Sequence, residues 1–228
     1  DGVTRYEHDR TQGPACAIAA GAATIYRNYF APVGDQIGQS AANQIDGLAD
    51  LGAELSRALG RPVPDLWSMQ NGYALATRAG LEMIAAHLRE TGDAAVNELA
   101  GRLRVGVHQG VEVTDGPSSP GPRVTQVLCS ALPVAYGRWP QPLWQVFAQL
   151  ILDAAYEATL LAGVLNSRQG GSNIVLLTLL GGGAFGNAPE WIHTALQRAI
   201  SKTQGHGLDV RVVSYGHPSP QLQTFVKV

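Results

Sequence analysis

Val175-Leu176-Leu177-Thr178-Leu179-Leu180 runs straight into Gly181-Gly182-Gly183-Ala184-Phe185-Gly186-Asn187, and Ala188-Pro189-Glu190-Trp191 follows. The continuous apolar, β-prone run predicts a strand covered on both faces. Pro189 suits the first position of a helix. Between them, glycine lets the backbone adopt positive φ and lets its N–H groups gather around an anion. A helix N-terminus adds partial positive charge beside them. A diphosphate is the natural occupant of such a strand–loop–helix junction; a tight turn needing glycine for geometry alone is the plainer alternative. The loop is not a Walker loop, because no Gly-Lys-Ser/Thr follows. Nor is it a Rossmann fingerprint, which belongs to the first strand of its unit and has an acidic residue beyond it.

Outward from this loop, residues 208–214 predict a last strand and 189–202 the helix before it. Residues 143–165 carry Leu143, Phe147, Ile151, Ala154, Ala158 and Leu161 on one side and predict a long buried helix. Residues 103–113 and 124–136 predict strands around a Gly/Pro/Ser loop at 115–122. This alternation is that of an α/β fold with a mostly parallel sheet, whose ligand lies at the carboxyl ends of its strands. Farther back, residues 3–6 predict a short extended segment and 15–30 one Ala-rich helix. Residues 31–43 predict a polar loop in which Gln36, Gln39 and Asn43 are either ligand contacts or plain surface. Helical periodicity predicts helices over 44–59, stopped at Gly60, over 66–90, and over 93–103. Asp153 and Glu157, at i,i+4 on the long helix, suit either a buried hydrogen-bonding role or a second acidic site.

The formal charge of −2 over 228 residues, with 15% charged residues, leaves no basic footprint for nucleic acid and no polybasic membrane anchor. No apolar run reads as a membrane span, because 143–165 contains Asp153 and Glu157. Cys16 and Cys129 sit in apolar runs and read as small buried hydrophobes. The histidines show no ligand spacing, and nothing in the residues calls for a metal or cofactor. The expected location is cytoplasmic, or a host cytosol if the protein is delivered as an effector. The chain opens at Asp1 as though inside a motif, so a preceding segment of the domain is expected upstream.

The glycine loop resembles that of macrodomains, which carry a late strand, a glycine-rich loop containing an aromatic residue, then a helix and a final strand. The resemblance covers roughly the last 100 residues and, more loosely, the first 30. It implies a single domain over 1–228, a three-layer sandwich of mixed, mostly parallel sheet with helices on both faces, and a helical insertion at about 44–103. It further implies that Gly181, Gly182, Gly183, Ala184, Phe185, Gly186 and Asn187 wrap the diphosphate of ADP-ribose, with Phe185 against the distal ribose. Tyr6 to Ala17 follows the order of the family's second ligand loop, which points to Thr11, Gln12 and Gly13 as ligand contacts, and Tyr215 past the last strand suits stacking on adenine. The Gln-Glu-Glu signature of the polyglycohydrolase branch is absent. The segment looks closer to divergent members that remove single ADP-ribose groups, arginine-linked ones included.

Chemistry adds to this resemblance. Ribosyl bond cleavage passes through an oxocarbenium-like state that a carboxylate stabilises, and a carboxylate can aim the attacking water. A guanidinium leaving group also pairs well with carboxylates. Asp1, Glu7 and Asp9 are therefore the candidate catalytic residues, Glu7 and Asp9 sharing parity if the segment is extended; a solvated acidic turn is the alternative. The expected function is hydrolysis of ADP-ribose from a modified protein. A non-catalytic ADP-ribose reader and another nucleotide-sugar or phosphate-ligand enzyme are the competing expectations.

Overall fold

The computed structural model describes residues 3–9, 11–214, 216–218 and 220–225; Asp1 and Tyr215, both singled out above, lie outside them. The predicted extended start is instead a 3-10 turn over Val3–Arg5, continued by bonds from Tyr6 N to Val3 O and from Asp9 N to Tyr6 O. Two helices follow, α1 (Gln12–Ala19) and α2 (Gly21–Tyr29), where one was expected. Gly21, a weak helix former, stands at the junction. The bend is held by tertiary contacts: the buried Thr24 hydroxyl donates to Ala17 O, while Ala19 O is taken by Thr114 N.

Next come β1 (Pro32–Val33) and β2 (Gln36–Ile37), α3 (Ala49–Leu59), α4 (Val63–Leu66), β3 (Trp67–Gln70) and β4 (Tyr73–Ala76), α5 (Arg78–Glu90) and α6 (Asp93–Ala100). The helical insertion is thus interrupted by a hairpin, and 67–76 form its two strands and turn rather than helix. Asn71 and Gly72 both have positive φ, 51° and 78°, joining Gln70 to its partner Tyr73 in the two-residue turn that suits the twist of a hairpin. Tyr73–Ala76 buries Ala74 and Ala76 and turns Tyr73 outward. Thr77 then caps α5, its hydroxyl accepting from Gly80 N.

The last third holds β5 (Gly106–Glu112), β6 (Arg123–Leu128), α7 (Gln141–Arg168), β7 (Ile174–Thr178), α8 (Pro189–Thr203), β8 (Asp209–Val213) and α9 (Pro220–Phe225). The fold is a mixed α/β one, but its strands form four separate pairs among the described residues. Only β7 and β8 run parallel; β1–β2, β3–β4 and β5–β6 are antiparallel. The expectation of a mostly parallel sheet is corrected accordingly. Chain reversals of a few residues can make only antiparallel neighbours, whereas a crossover helix such as α8 permits a parallel one.

α7 organises the core. It is long and apolar enough by length and composition to cross a membrane, yet Trp144, Phe147, Ile151, Leu152 and Leu160 are buried against α5, α8 and the strands. One apolar cluster runs from Leu48 in the insertion through α7 to Ala199 in α8. Asp153 and Glu157 clamp α7 to α8: Glu157 receives Arg198 Nη1 and Lys202 Nζ at 2.7 Å each, and Arg198 Nε lies 3.7 Å from Asp153. Of the two roles open to this pair, the structure shows the hydrogen-bonding one. Cys16 is exposed, because α1 turns little more than Ala17 inward, and Cys129, just past β6, is part-buried. The two cysteines are free.

Candidate functional site

The glycine loop leaves β7 at Thr178, directly opposite Val213 at the carboxyl end of β8. Its entry is fixed from below by the buried Tyr156, whose hydroxyl donates to Thr178 O and accepts from Leu180 N, both at 2.8 Å. Burial pushes that phenol well above its ordinary range, so it stays protonated and keeps both bonds.

Within the loop the glycines divide into two kinds. Gly181 and Gly186 have φ of 77° and 66°, and an added Cβ would stand 2.5 Å from Ala131 Cβ at the first and 2.9 Å from Ala135 Cβ at the second. They are required by geometry. Gly183 lies outside the positive-φ region, and a Cβ there would meet nothing within 4 Å. The positive φ expected for ligand-binding glycine is therefore found at the ends of the loop and not at its centre. Bonds from Gly182 N to Leu179 O, Gly186 N to Gly183 O and Asn187 N to Gly181 O, all 3.0 Å, close the loop on itself. The N–H groups of Gly183, Ala184 and Phe185 find no acceptor among the described residues, and Gly183 and Ala184 are exposed.

α8 contributes less than its position promised. Pro189 has no N–H, Trp191 and Ile192 already donate to Ala188 O, and Glu190 puts a carboxylate into the first turn. Any anion at this junction leans on the loop amides more than on the helix end. Asn187 is only 3% exposed, and its Nδ2 donates to Leu132 O at 2.9 Å and to Gly181 O at 3.2 Å. Its side chain holds the loop against the segment after β6, leaving only its backbone toward the loop.

Phe185 stands in a ring cluster. Its centroid is 5.5 Å from Tyr73 and from Tyr136, and those two rings are also 5.5 Å apart, each pair edge to face. Phe185 O accepts from Ala135 N at 2.8 Å, Gly186 O accepts from Gln141 Nε2 at 2.9 Å, and Trp139 Nε1 donates to Ala76 O at 3.0 Å. The hairpin, the segment 134–140 and the glycine loop are thereby knitted at one rim. Tyr73 also lines a cleft of about 90 Å³ with Asp46, Met69, Arg104 and Ser130. From sequence, Asn71-Gly72-Tyr73 reads as a helix start rather than a ligand site, which the hairpin corrects, and Tyr136 is passed over. The Asn71-Gly72 turn was the local signal that would have placed Tyr73 on a hairpin; nothing local marks Tyr136.

The amino-terminal segment reaches the same end of the parallel pair. Gln12 Nε2 donates to Val213 O at 2.9 Å, so α1 begins beside the strand ends. Asp9 Oδ1 accepts from Thr11 N and Oγ1 at 2.9 and 2.6 Å, and these bonds hold its carboxyl below the usual range. Tyr73 is pushed up, chiefly by burial and then by Tyr136, Tyr6 and the Asp9 charge. Tyr6 is fixed by Arg27, whose Nη2 donates to its hydroxyl at 3.0 Å. Glu7 is exposed and makes no hydrogen bond or ion pair among the described residues. Gly13 sits in the first turn of α1 with open space around it. The parity argument for Glu7 and Asp9 lapses, because the segment is a run of turns. Gln36, Gln39 and Asn43 spend their amides inside their own loop region, on Gly38 O, Asn28 Oδ1 and Val33 O.

Phe185→Ala is expected to weaken ADP-ribose binding by roughly 1–3 kcal/mol, the scale of an aromatic platform. Because Phe185 is half-buried against the core, the melting temperature should fall as well, a change from the purely ligand-facing role expected from sequence. Phe185→Leu separates the two effects: it keeps apolar bulk and should recover most of the stability but little of the affinity. Calorimetry and thermal melts on both variants measure this; affinity equal to wild type in both would leave Phe185 a packing residue only.

Comparisons with protein-family models, with curated proteins and with solved structures find no match to this chain.

Proposed function

We propose that this chain is a macrodomain-like hydrolase that removes ADP-ribose from modified protein side chains, arginine-linked ones first. One observation carries the reading. Three consecutive loop amides, on Gly183, Ala184 and Phe185, are without acceptors among the described residues at the carboxyl end of a parallel strand pair, where Gln12 of the amino-terminal segment also bonds Val213 O. In this reading the amides hold the diphosphate of ADP-ribose, with Thr11, Gln12 and Gly13 on the facing side. β7 and β8 are the parallel pair of a macrodomain sandwich, with α7 and α8 the helical layer behind them.

The chemistry follows from the charges. Water adds to the anomeric carbon of the ribose as the bond to the guanidino nitrogen breaks. The arginine leaves with that electron pair and takes up a proton, and the water gives one up. Asp9, kept ionised by Thr11, is a weak base and suits stabilisation of the developing ribosyl cation. Glu7 is the residue left to aim the water and accept its proton. A second reading, an ADP-ribose reader without turnover, is favoured by one feature: no partner among the described residues holds the Glu7 carboxylate, whereas catalytic groups are normally held in place.

Incubation with arginine-, glutamate- and serine-linked ADP-ribosyl proteins, read by mass spectrometry, is expected to release ADP-ribose from the arginine linkage. Tight ADP-ribose binding with no release from any linkage would favour the reader. Thermal stabilisation by UDP-glucose or ATP but not by ADP-ribose would remove both and favour another nucleotide-ligand enzyme.

A further inference from the structure

The parallel pair β7–β8 has no third strand on either side among the described residues. Its register fixes which backbone groups face outward. Asp209 N donates to Asn173 O at 2.9 Å, and Ile174 lies opposite Asp209, Leu176 opposite Arg211 and Thr178 opposite Val213. Along a strand, alternate residues turn both N–H and C=O to the same side. Asp209, Arg211 and Val213 therefore direct theirs toward β7, while Leu208, Val210 and Val212 direct theirs outward. On β7 the outward residues are Ile174, Leu176 and Thr178.

The two edges are not equally open. At the β7 edge Ile174 N already donates to Ser172 Oγ at 3.1 Å, and Thr178 O accepts from the Tyr156 hydroxyl and from Leu180 N. At the β8 edge nothing among the described residues bonds the outward groups of Val210 and Val212. Residues 209–213 also lack the devices by which edges refuse another strand: they hold no proline, their ladder has no bulge, and their charges are not of one sign. Asp209 and Arg211 instead alternate in sign along one face, bonded to each other at 2.6 Å with both side chains open to solvent.

That alternation is self-complementary in one register. An antiparallel two-fold pairing about Asp209 or about Arg211 would set like charges opposite each other, and one about Val212 would set Arg211 opposite Val213. A pairing about Val210 sets each Asp209 opposite Arg211 of the second copy. Val210 then exchanges both backbone bonds with Val210 of the second copy, and Val212 meets Leu208. Opposite charges across strands stabilise a pair and like charges oppose it. We propose that β8 pairs edge to edge with β8 of a second copy of this chain, antiparallel about Val210, joining the two strand pairs into one four-stranded sheet. Because the paired strands run in opposite directions, the two glycine loops stand at opposite ends of that sheet and neither closes the other.

The experiment is sedimentation equilibrium over a concentration series, with amide hydrogen exchange and a thermal melt of each protein. Wild type is expected to dimerise, and the amides of Val210 and Val212 to exchange more slowly as concentration rises. Asp209→Arg and Arg211→Asp each place like charges opposite each other at both contacts. Either should weaken dimerisation at least about tenfold while melting close to wild type, since both side chains are exposed. Mixed in equal amounts, the two variants present opposite charges at both contacts again and should associate with each other about as tightly as wild type. Wild-type protein that stays monomeric at every concentration overturns the inference. So does a dimer in which Val210 and Val212 exchange as they do in the monomer, which would place the contact elsewhere. Dimerisation as tight as wild type in either single variant, or no association in the mixture, overturns it too.

Discussion

Asp9→Asn is expected to lower single-turnover release of ADP-ribose from arginine-linked protein by at least about a hundredfold, the low end for losing a general acid, base or equivalent charge. Affinity for free ADP-ribose should persist. Asparagine keeps an oxygen that can accept from Thr11 N and Oγ1, so the turn before α1 survives while the charge is removed. An interaction made mainly with the developing cation lowers the rate far more than the binding. The pH behaviour follows from the same bonds. The Thr11 bonds hold the folded-state pKa of Asp9 below that of an ordinary aspartate, so what they contribute to stability is present above the ordinary aspartate range and is lost only as pH falls through the folded value. Ionisation of Asp9 should therefore leave no inflection in the rate around neutrality. Glu7→Gln is expected to lose a comparable factor if Glu7 accepts the water's proton. Asp1→Ala should show a smaller loss confined to arginine linkages if Asp1 only holds the guanidinium. Single-turnover release and calorimetry on the same variants decide the matter. Full activity in both Asp9→Asn and Glu7→Gln would take the chemistry away from this segment. Asp153 and Glu157 would make poor replacements, since Arg198 and Lys202 already occupy them.

The second large effect divides the glycine loop. Gly181→Val is expected to destabilise the fold by roughly 2–6 kcal/mol, from a β-branched residue forced to positive φ together with overpacking. The clash is specific: its Cβ would lie 2.5 Å from Ala131 Cβ and 2.6 Å from Asn187 Nδ2. Gly183→Val carries neither penalty, because its backbone is outside the positive-φ region and the space around it is open. It should melt close to wild type and yet lose ADP-ribose binding, its branched side chain standing between the phosphates and the amides of Gly183, Ala184 and Phe185. Thermal melts separate the two variants and calorimetry reads the ligand. ADP-ribose affinity undiminished in folded Gly183→Val protein would sink the assignment of the loop to the diphosphate.

How much of this was legible beforehand depends on how local the signal is. The strand before the glycines, the helix behind Pro189, the length of α7 and the stop of α3 at Gly60 all follow from period, cap and breaker residues within a few positions of one another. The break between α1 and α2 had only a weak local signal, a single Gly21 in an Ala-rich run; Thr24 and Thr114 bind carbonyls at the break. Residues 66–76 carried conflicting local signals. Spaced apolar residues read as helix, while Asn71-Gly72 specifies a hairpin, and the burial of Trp67, Ala74 and Ala76 against α7 and its neighbours favours the strand pairing.

The candidate site divides along the same line. By itself the sequence determined that a glycine-rich loop joins a strand to a helix, and that carboxylates cluster near the amino terminus, because both are runs of adjacent residues; that the strand is covered on one face only, with Leu177 buried and Leu176 64% exposed, was not legible in its continuous apolar run. Tertiary structure alone decided which glycines are structural and which stand open, that the Asn187 side chain turns inward, and that α8 offers few free amides. It alone brought Tyr73, Tyr136 and Phe185 together across more than 100 residues of chain, and set Gln12 against the end of β8. The physical reason is that φ, cap and periodicity are settled by near neighbours, whereas ring contacts and the Gln12 bond to β8 exist only once α1, the β3–β4 hairpin and the parallel pair have packed on one core.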